Sequence, residues 1–331
     1  MGDRSGPRGR RPGWACGCRR DTGGCRPSTR IRHGKVSARP GVTRRRADLL
    51  LITAAAVWGV SFVVVKDALT SASPLIFLAA RFTIATIVLA PLANLRSRFS
   101  AAELRAGLIL TLLLASGFAT QAYGLQYTTP ARSAFIVAMS SVLAPLIALV
   151  LLKHRTGWIV FLALLVAGVG IYFLTAPDAG GLNRGDLWTL VTAVVFGGHI
   201  VAVSEFSKRF DAQRLVWLQL PGTAIGSLIA ALLLEHIRFD WSPSLVAALL
   251  FLAVMSTAVA LVWQFRAQRE MSSARASLIF CFEPVFAALT SWLFWGETFS
   301  VSQGVGAGLI FGGMVLAVIG EQRAEANELS G

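Results

Sequence analysis

Charged residues are scarce in this sequence. They make up 15% of the 331 residues, whereas 55% of the residues are hydrophobic. An ordinary soluble domain contains about 25% charged residues. The composition therefore argues against a soluble globular protein and predicts one that crosses a membrane several times.

The sequence also lacks the motifs of two function classes. Its apolar segments contain no G-x-S-x-G, no H-E-x-x-H and no pair of Asp and His residues. Without a nucleophile motif or a metal-binding cluster, a membrane enzyme is not indicated. The phosphate-binding motif G-x-x-x-x-G-K-[ST] is absent too, which excludes an ATP-driven pump built from this chain alone. We therefore expect no enzymatic activity and no cofactor.

Cysteine is rare as well, with four in the whole chain. Three of them, Cys16, Cys18 and Cys25, lie close together near the N-terminus. Their spacing lacks the paired C-x2-C pattern of a structural zinc site. We therefore expect no metal site there.

The positive charge is concentrated in an N-terminal tail, residues 1–46. The tail holds 13 Arg and 1 Lys against two Asp, which is a net +12 of the total +14 and leaves +2 for the remainder. This distribution does not indicate a nucleic-acid partner. The tail is dense in Gly, Pro and Arg and lacks apolar periodicity, so we predict that it is disordered. No apolar stretch typical of a signal peptide precedes residue 47.

Two interpretations of the tail are open. It can be a positive cytoplasmic flank that orients the first span and touches anionic lipid. Alternatively, it is an upstream extension without function.

Apolar segments alternate with short charged breaks from residue 47 onward. Crossing a bilayer takes roughly 20 residues in a helix. Ten segments approach this length, at about residues 48–66, 74–93, 105–126, 133–152, 157–176, 185–205, 214–235, 244–265, 273–295 and 301–320. The longest break, residues 176–186, divides the chain into two halves of five spans each.

Internal repetition supports this division into residues 47–176 and 185–320. A shift of 143 residues lays 121–170 on 264–313 without a gap and matches Gln121 with Gln264. A shift of 138 residues aligns the first span with the sixth. Because five is an odd number, the second repeat enters the membrane with the opposite orientation. The predicted fold is all-α, with ten transmembrane helices arranged as two inverted five-helix repeats.

The charges of the loops predict the orientation of the chain. With both termini cytoplasmic, the inside loops after the tail carry twelve Lys and Arg residues and the outside loops carry four. Cytoplasmic loops of membrane proteins show this positive bias. We predict a multi-pass protein of the cell membrane with residues 321–331 as a short cytoplasmic tail. Inverted repeats place a binding site near the midplane, where rocking of one half against the other gives alternating access.

Several motifs then show a family resemblance over residues 47–320. They are "VWGVSFVVVK" (57–66), "ARF" (80–82), "GLQYTTPARSAFIVAMSSVLAPL" (124–146), "ARASLIFCFEPVFAALTSWLFWGE" (274–297) and "GAGLIFGGMVLA" (306–317). In order and spacing, the chain resembles the drug/metabolite transporter superfamily, specifically its ten-helix transporters with two EamA domains. The resemblance implies a carrier of small metabolites, amino acids or drug-like compounds, frequently outward. The chain departs from the family at Lys153 and His154, where members often have a Gly-Glu pair.

Three ionisable residues lie clearly within the predicted spans: Arg81, His199 and Glu283. Residues of this kind usually face a bundle interior or a water-filled cavity, so each is a pathway candidate. Arg81 can bind an anionic group of a substrate or neutralise a carboxylate, but it can also snorkel to the outer interface. His199 can relay protons, or it can simply bond to a carbonyl.

Glu283 directly precedes Pro284 in the ninth span. Proline removes a backbone hydrogen bond and disfavours helical geometry at the preceding residue, so the span is expected to kink or open there. An opening at midplane depth lets the carboxylate be solvated, where it can bind a cationic group or carry a proton. The alternative is a protonated glutamate that bonds a neighbouring helix in a kink that only shapes packing.

Neutral polar and aromatic residues complete the candidate pathway. Gln121 and Gln264 suit a cavity that recognises polar groups, although such side chains also tie helices together. Trp58, Tyr123 and Trp263 are the aromatic residues that we expect to line the same space. The expected partners are a small-molecule substrate, the lipid bilayer and the proton as coupling ion. The alternative function is a non-transporting membrane scaffold or receptor, which would not need a carboxylate or an arginine at bilayer depth.

Overall fold

The computed structural model describes residues 44–93, 98–153, 157–175, 181–271, 276 and 279–330. Their regular structure is helical, apart from one isolated antiparallel bridge between Ala72 and Phe239. The α-helices are α1 (Arg44–Ala68), α2 (Pro74–Leu89), α3 (Ala101–Tyr127), α4 (Pro130–Ala138), α5 (Ser140–Leu152), α6 (Trp158–Leu174), α7 (Arg184–Ser207), α8 (Ala212–Leu234), α9 (Pro243–Phe251), α10 (Ala260–Glu270), α11 (Glu283–Trp295) and α12 (Val301–Ser330).

Eight helices among the described residues are long and apolar enough to cross a membrane, counting α4 with α5 and α9 with α10 as continuous spans. Helix α6 is a shorter apolar helix. Helix α11 covers the second half of the ninth predicted span, residues 273–295. The chain is a multi-pass membrane protein, and the described helices lie at the predicted spans to within a few residues.

The two predicted tails can be described only in part. Residues 1–43 lie outside the described residues, and so does the predicted disorder of most of the tail. Helix α1 begins at Arg44, so the last three residues of the predicted tail, 44–46, belong to this helix. Helix α12 continues through Ser330, so the predicted C-terminal tail extends the last helix.

Among the described residues, three spans are interrupted along their length. The fourth span changes from α4 to α5 at Met139, which has α-region backbone angles but breaks the regular helix. The eighth span contains a π-helical segment, Leu252–Val259, between α9 and α10. The ninth span has a turn at Cys281 and Phe282 before α11 begins at Glu283. The last interruption is the one predicted from the Glu-Pro pair.

Close helix contacts hold the two halves of the chain together. Helix α6 packs along α12, α3 along α7, α2 along α8, and α1 along α11. A methyl group added at Gly170 of α6 would lie 2.8 Å from the Gly306 carbonyl of α12, and one added at Gly313 would lie 2.9 Å from the Ala163 carbonyl. Glycine is required at these positions because the backbones of the two helices touch.

Candidate functional site

A cavity of about 90 Å³ lies between the two halves. A water molecule needs roughly 10–15 Å³ of such space, so the cavity has room for several waters or a small solute. Its lining residues come from α1, α3, α4, α5, α7, α10 and α11, together with Phe280 just before α11. Those that the following paragraphs use are Trp58, Phe118, Gln121, Ser140, Phe196, His199, Gln264, Phe280 and Glu283.

Glu283 reaches the cavity from the first turn of α11. A helix N-terminus stabilises a negatively charged side chain through its exposed N–H groups and its dipole. Helix α1 crosses α11 at this point, and a methyl group added at Gly59 would lie 2.8 Å from the Glu283 carbonyl oxygen. The close crossing brings Trp58, the neighbour of Gly59, to the same cavity as Glu283.

Five polar side chains of the lining have no hydrogen-bond or ion-pair partner among the described residues: Gln121, Ser140, Ser141, Gln264 and Glu283. Buried polar groups in folded proteins are normally satisfied by protein or water. Polar side chains that have no protein partner are suited to bind water, a proton or a ligand.

Aromatic rings form much of the remaining wall. The rings of Trp58 and Phe280 lie with their centroids 5.8 Å apart and their planes tilted by 45°. Phe118 and Phe196 are in an edge-to-face arrangement at 5.4 Å. The indole Nε1 of Trp58 donates to the Ser256 carbonyl at 2.8 Å, which fixes the ring against the π-helical segment.

His199 lies in the same wall but has a protein partner. Its Nε2 is 3.0 Å from the side-chain oxygen of Gln219, and both residues are buried. The amide nitrogen of Gln219 has no partner among the described residues. His199 therefore bonds a glutamine side chain rather than the backbone carbonyl that we weighed from the sequence.

Arg81 is fully buried, at 1% exposure, so the snorkelling interpretation is wrong. Its Nε donates to Thr257 Oγ1 at 2.8 Å and its Nη2 to Ser256 Oγ at 3.2 Å. The guanidinium carbon lies 4.7 Å from the centre of the Phe118 ring. No carboxylate among the described residues is within ion-pair distance of Arg81. Arg81 lies behind the Phe118 wall instead of lining the cavity.

Three other predicted pathway residues lie outside the cavity lining. Tyr123 donates its hydroxyl to Glu235 at 2.9 Å, away from the cavity. Trp263 is half-buried and lies outside the lining. Pro284 is buried in the first turn of α11 and positions Glu283 without reaching the cavity itself.

Two lining residues that the sequence analysis missed are Ser140 and Ser141. The shift of 143 residues that pairs Gln121 with Gln264 also pairs Ser140 with Glu283. Both members of this pair begin the helix that follows an interruption, α5 in the first half and α11 in the second. The repeat alignment itself was the signal that would have identified Ser140.

Polar contacts join the two halves at the side predicted to face outward. Glu235 accepts from Tyr123 and, at 3.0 Å, from the backbone N–H of Leu75. The buried ion pair of Arg132 with Asp186 includes an Nε–Oδ1 hydrogen bond of 2.9 Å. Glu297 accepts from the Thr129 hydroxyl. These contacts connect the first half of the chain to the second on that side.

Among the described residues, no group of three or more His, Cys, Asp and Glu side chains is arranged to hold a metal ion. The polar groups that line the cavity are the carboxylate of Glu283, two amides, three serine hydroxyls and His199, and aromatic rings stand beside them. Such a site can bind a small solute through charge, hydrogen bonds and ring contacts.

Known proteins resemble this chain over most of its length. The profile of the EamA-like transporter family matches residues 45–176 and 183–319. An uncharacterized transporter of Archaeoglobus fulgidus is 33% identical over 279 residues, which cover 84% of this chain and 86% of the relative.

More distant similarities extend over comparable lengths. The uncharacterized transporter YoaV of Bacillus subtilis is 22% identical, with 80% of this chain and 94% of the relative covered. A protein of known crystal structure superimposes with a TM-score of 0.63 at 20% identity, covering 85% of this chain and 99% of its own. That structural match supports the fold alone.

Proposed function

The chain belongs to the EamA-like transporter family, and from this premise we propose that it is a secondary transporter that moves a small solute by alternating access. The proposed solutes are small metabolites, amino acids or drug-like compounds, and the proposed direction is export. The observation that carries the proposal is the central cavity, where the carboxylate of Glu283 and the amides of Gln121 and Gln264 have no partner among the described residues.

The position of the cavity supports alternating access. Its lining comes from both repeats, with Gln121 and Gln264 at matching positions. A site between inverted repeats is exposed to each side in turn when one repeat moves against the other. The contacts of Glu235, Asp186 and Glu297 join the halves on the predicted outer side. They support the proposal that this side is held shut while the transporter loads from the cytoplasm.

Glu283 is the residue that we propose for proton coupling. It is a carboxylate within a span, faces the cavity and has no protein partner among the described residues. Ionisable groups in such positions commonly form proton pathways. If the solute and the proton compete for this carboxylate, release of one allows binding of the other, which couples the two movements.

Export is tested by comparing the extracellular metabolites of cells that lack the protein and cells that overproduce it. The metabolite that accumulates outside only on overproduction is then loaded into liposomes that contain the purified protein, and its flux is measured between about pH 5 and 8. Glu283→Gln keeps the size of the side chain and removes its titration. We expect this variant to insert normally and to lose transport at least about tenfold, or to lose its pH dependence.

Glu270→Gln is the matched control because Glu270 is an exposed carboxylate at the end of α10. We expect it to transport like the wild type. A non-transporting scaffold or receptor is the alternative, and it predicts no flux of any solute from protein-containing liposomes. Wild-type flux by Glu283→Gln at every pH would show that Glu283 is structural.

A further inference from the structure

The charge of the cavity lining has one sign. Glu283 is its only Asp, Glu, Lys or Arg residue among those described. A carboxylate that is removed from bulk water without a compensating partner is costly, and a bound cation relieves that cost. The cavity is therefore electrostatically suited to a ligand with positive charge.

Two aromatic rings line the same cavity as this carboxylate. Phe280 precedes Glu283 by three residues, and Trp58 is brought to the same place by the close crossing at Gly59. Their centroids are 5.8 Å apart and their planes are tilted by 45°, so the two rings are not stacked. Trp58 is held by its hydrogen bond to the Ser256 carbonyl, so its ring faces stay in place. Ring faces attract ammonium groups, and the attraction is stronger away from water.

The nearby positive residues are already engaged. Arg81 donates to Thr257 and Ser256 and lies behind the Phe118 ring. Lys66 donates to the carbonyl oxygens of Leu125 at 2.6 Å and Thr128 at 3.1 Å, at the end of α3. Neither residue lines the cavity. A zwitterionic amino acid would bring its carboxylate into the cavity without an Arg or Lys partner among the described lining residues.

Resting on the transport function proposed above, we propose that the cavity binds a small organic cation, an amine whose charge sits between the Glu283 carboxylate and the ring faces of Trp58 and Phe280. Gln121 and Gln264 bind a neutral polar group on the same molecule, since amides both donate and accept hydrogen bonds. The volume of about 90 Å³ restricts the ligand to a small body. This narrows the proposed solutes to those with a net positive charge.

Three probes that share one ring and differ in charge test this proposal: phenethylamine, phenylalanine and 3-phenylpropionate. Their equilibrium binding to the purified full chain in lipid nanodiscs is measured by calorimetry at neutral pH. We expect phenethylamine to bind at least about tenfold more tightly than phenylalanine, because the amino acid's carboxylate faces Glu283 without a cationic partner. Phenylpropionate is expected not to bind.

Variants locate the amine. Glu283→Gln is expected to weaken phenethylamine binding at least about tenfold. Trp58→Leu, which removes the ring, is expected to weaken it about fivefold to thirtyfold, whereas Trp58→Phe, which keeps a ring but loses the indole hydrogen bond, weakens it less. Glu270→Gln and Trp158→Phe change an exposed carboxylate and an exposed indole, and both should bind like the wild type. Thermal unfolding of each variant shows whether it is folded.

The outcomes separate this inference from the transport function. Tighter binding of phenylalanine or phenylpropionate than of phenethylamine overturns the cation site, even if those solutes cross liposome membranes through the protein. Binding of none of the three at millimolar concentration overturns it as well, as does full binding by folded Glu283→Gln. Binding of phenethylamine through Glu283 and Trp58 without flux of any solute supports the site and overturns the transporter.

Discussion

Arg81 donates from Nε to Thr257 Oγ1 at 2.8 Å, and this bond ties the second span to the π-helical segment of the eighth. The same segment offers the Ser256 carbonyl to Trp58 of the first span. π-Helical segments inside α-helices occur frequently at functional sites, because they free backbone groups for other partners. Here the segment holds two aromatic side chains of the cavity wall. It accepts a hydrogen bond from Trp58 directly, and it binds Arg81, whose guanidinium lies against the Phe118 ring.

Replacement of Arg81 tests whether it serves function or stability. A buried charge without a carboxylate partner is costly at bilayer depth. We expect Arg81→Met to leave thermal stability unchanged or to raise it, while transport falls at least about tenfold. The measurement compares thermal unfolding with liposome flux, and Arg209→Met provides an exposed-arginine control. A variant that unfolds at a much lower temperature would instead make Arg81 a structural residue.

Gly59 is expected to be sensitive to the smallest possible enlargement. A methyl group there would lie 2.6 Å from Phe286 Cβ and 2.9 Å from the Ala287 nitrogen, so α1 and α11 must separate. Overpacking of this kind typically costs about 1–3 kcal/mol. Gly59→Ala should lower the unfolding temperature and transport together.

Gly226 supplies the comparison for this variant. It lies inside α8 with no neighbour within 4 Å of an added methyl group. Gly226→Ala should match or slightly exceed wild-type stability, since alanine favours a helix over glycine by about 1 kcal/mol. If Gly59→Ala and Gly226→Ala had the same unfolding temperature and transport, α1 and α11 would have to be farther apart at their crossing than in this structure.

The inverted orientation of the halves is tested by labelling. The 138-residue shift places the end of α7 on the end of α1, where Thr70 and Arg209 are exposed. In a background without the four natural cysteines, we expect Thr70→Cys to react with an impermeant maleimide from outside and Arg209→Cys only from the cytoplasm. The expectation follows from the distribution of positive loops. Labelling of both from one side would contradict inverted repeats.

Removal of residues 2–43 is expected to leave insertion and transport intact. The deletion ends just before α1, which begins at Arg44. The segment has too little apolar content to contribute to a core, and the remaining loops keep the positive bias that orients the chain. Surface exposure of the Arg209→Cys site in the truncated protein reports any inversion. Loss of transport by a truncated chain that inserts normally would give the tail a function.

The positions of the spans were predictable because the thickness of the bilayer requires about 20 consecutive apolar residues, and such stretches are visible in the sequence. The interruption before Glu283 was predictable because proline has a defined effect on the backbone. The interruption at Met139 and the π-helical segment carry no such local signal. The π-helical segment is held by hydrogen bonds from Trp58 and Arg81, which belong to other spans. The helix propensities of the segment's own residues therefore do not reveal it.

Helix geometry explains why some candidate residues missed the cavity. Each residue turns an α-helix by about 100°, since one turn takes about 3.6 residues. Tyr123 follows Gln121 by two residues and Trp263 precedes Gln264 by one, so neither can share a helix face with the glutamine that lines the cavity. To decide which of two adjacent residues lines the cavity, one must know which face of the helix turns inward. A span that is apolar on all sides does not reveal that face.

The glycine contacts between α6 and α12 restrict how the two halves can move. These helices are the last described span of each half, and neither contributes a residue to the cavity. Because backbone touches backbone at Gly170 and Gly313, no layer of side chains is available there to change rotamers and let the helices slip. Interfaces that slide do so by small shifts of interdigitated side chains. We therefore expect relative motion of the halves to be a rotation about this line of contact and not a slide along it.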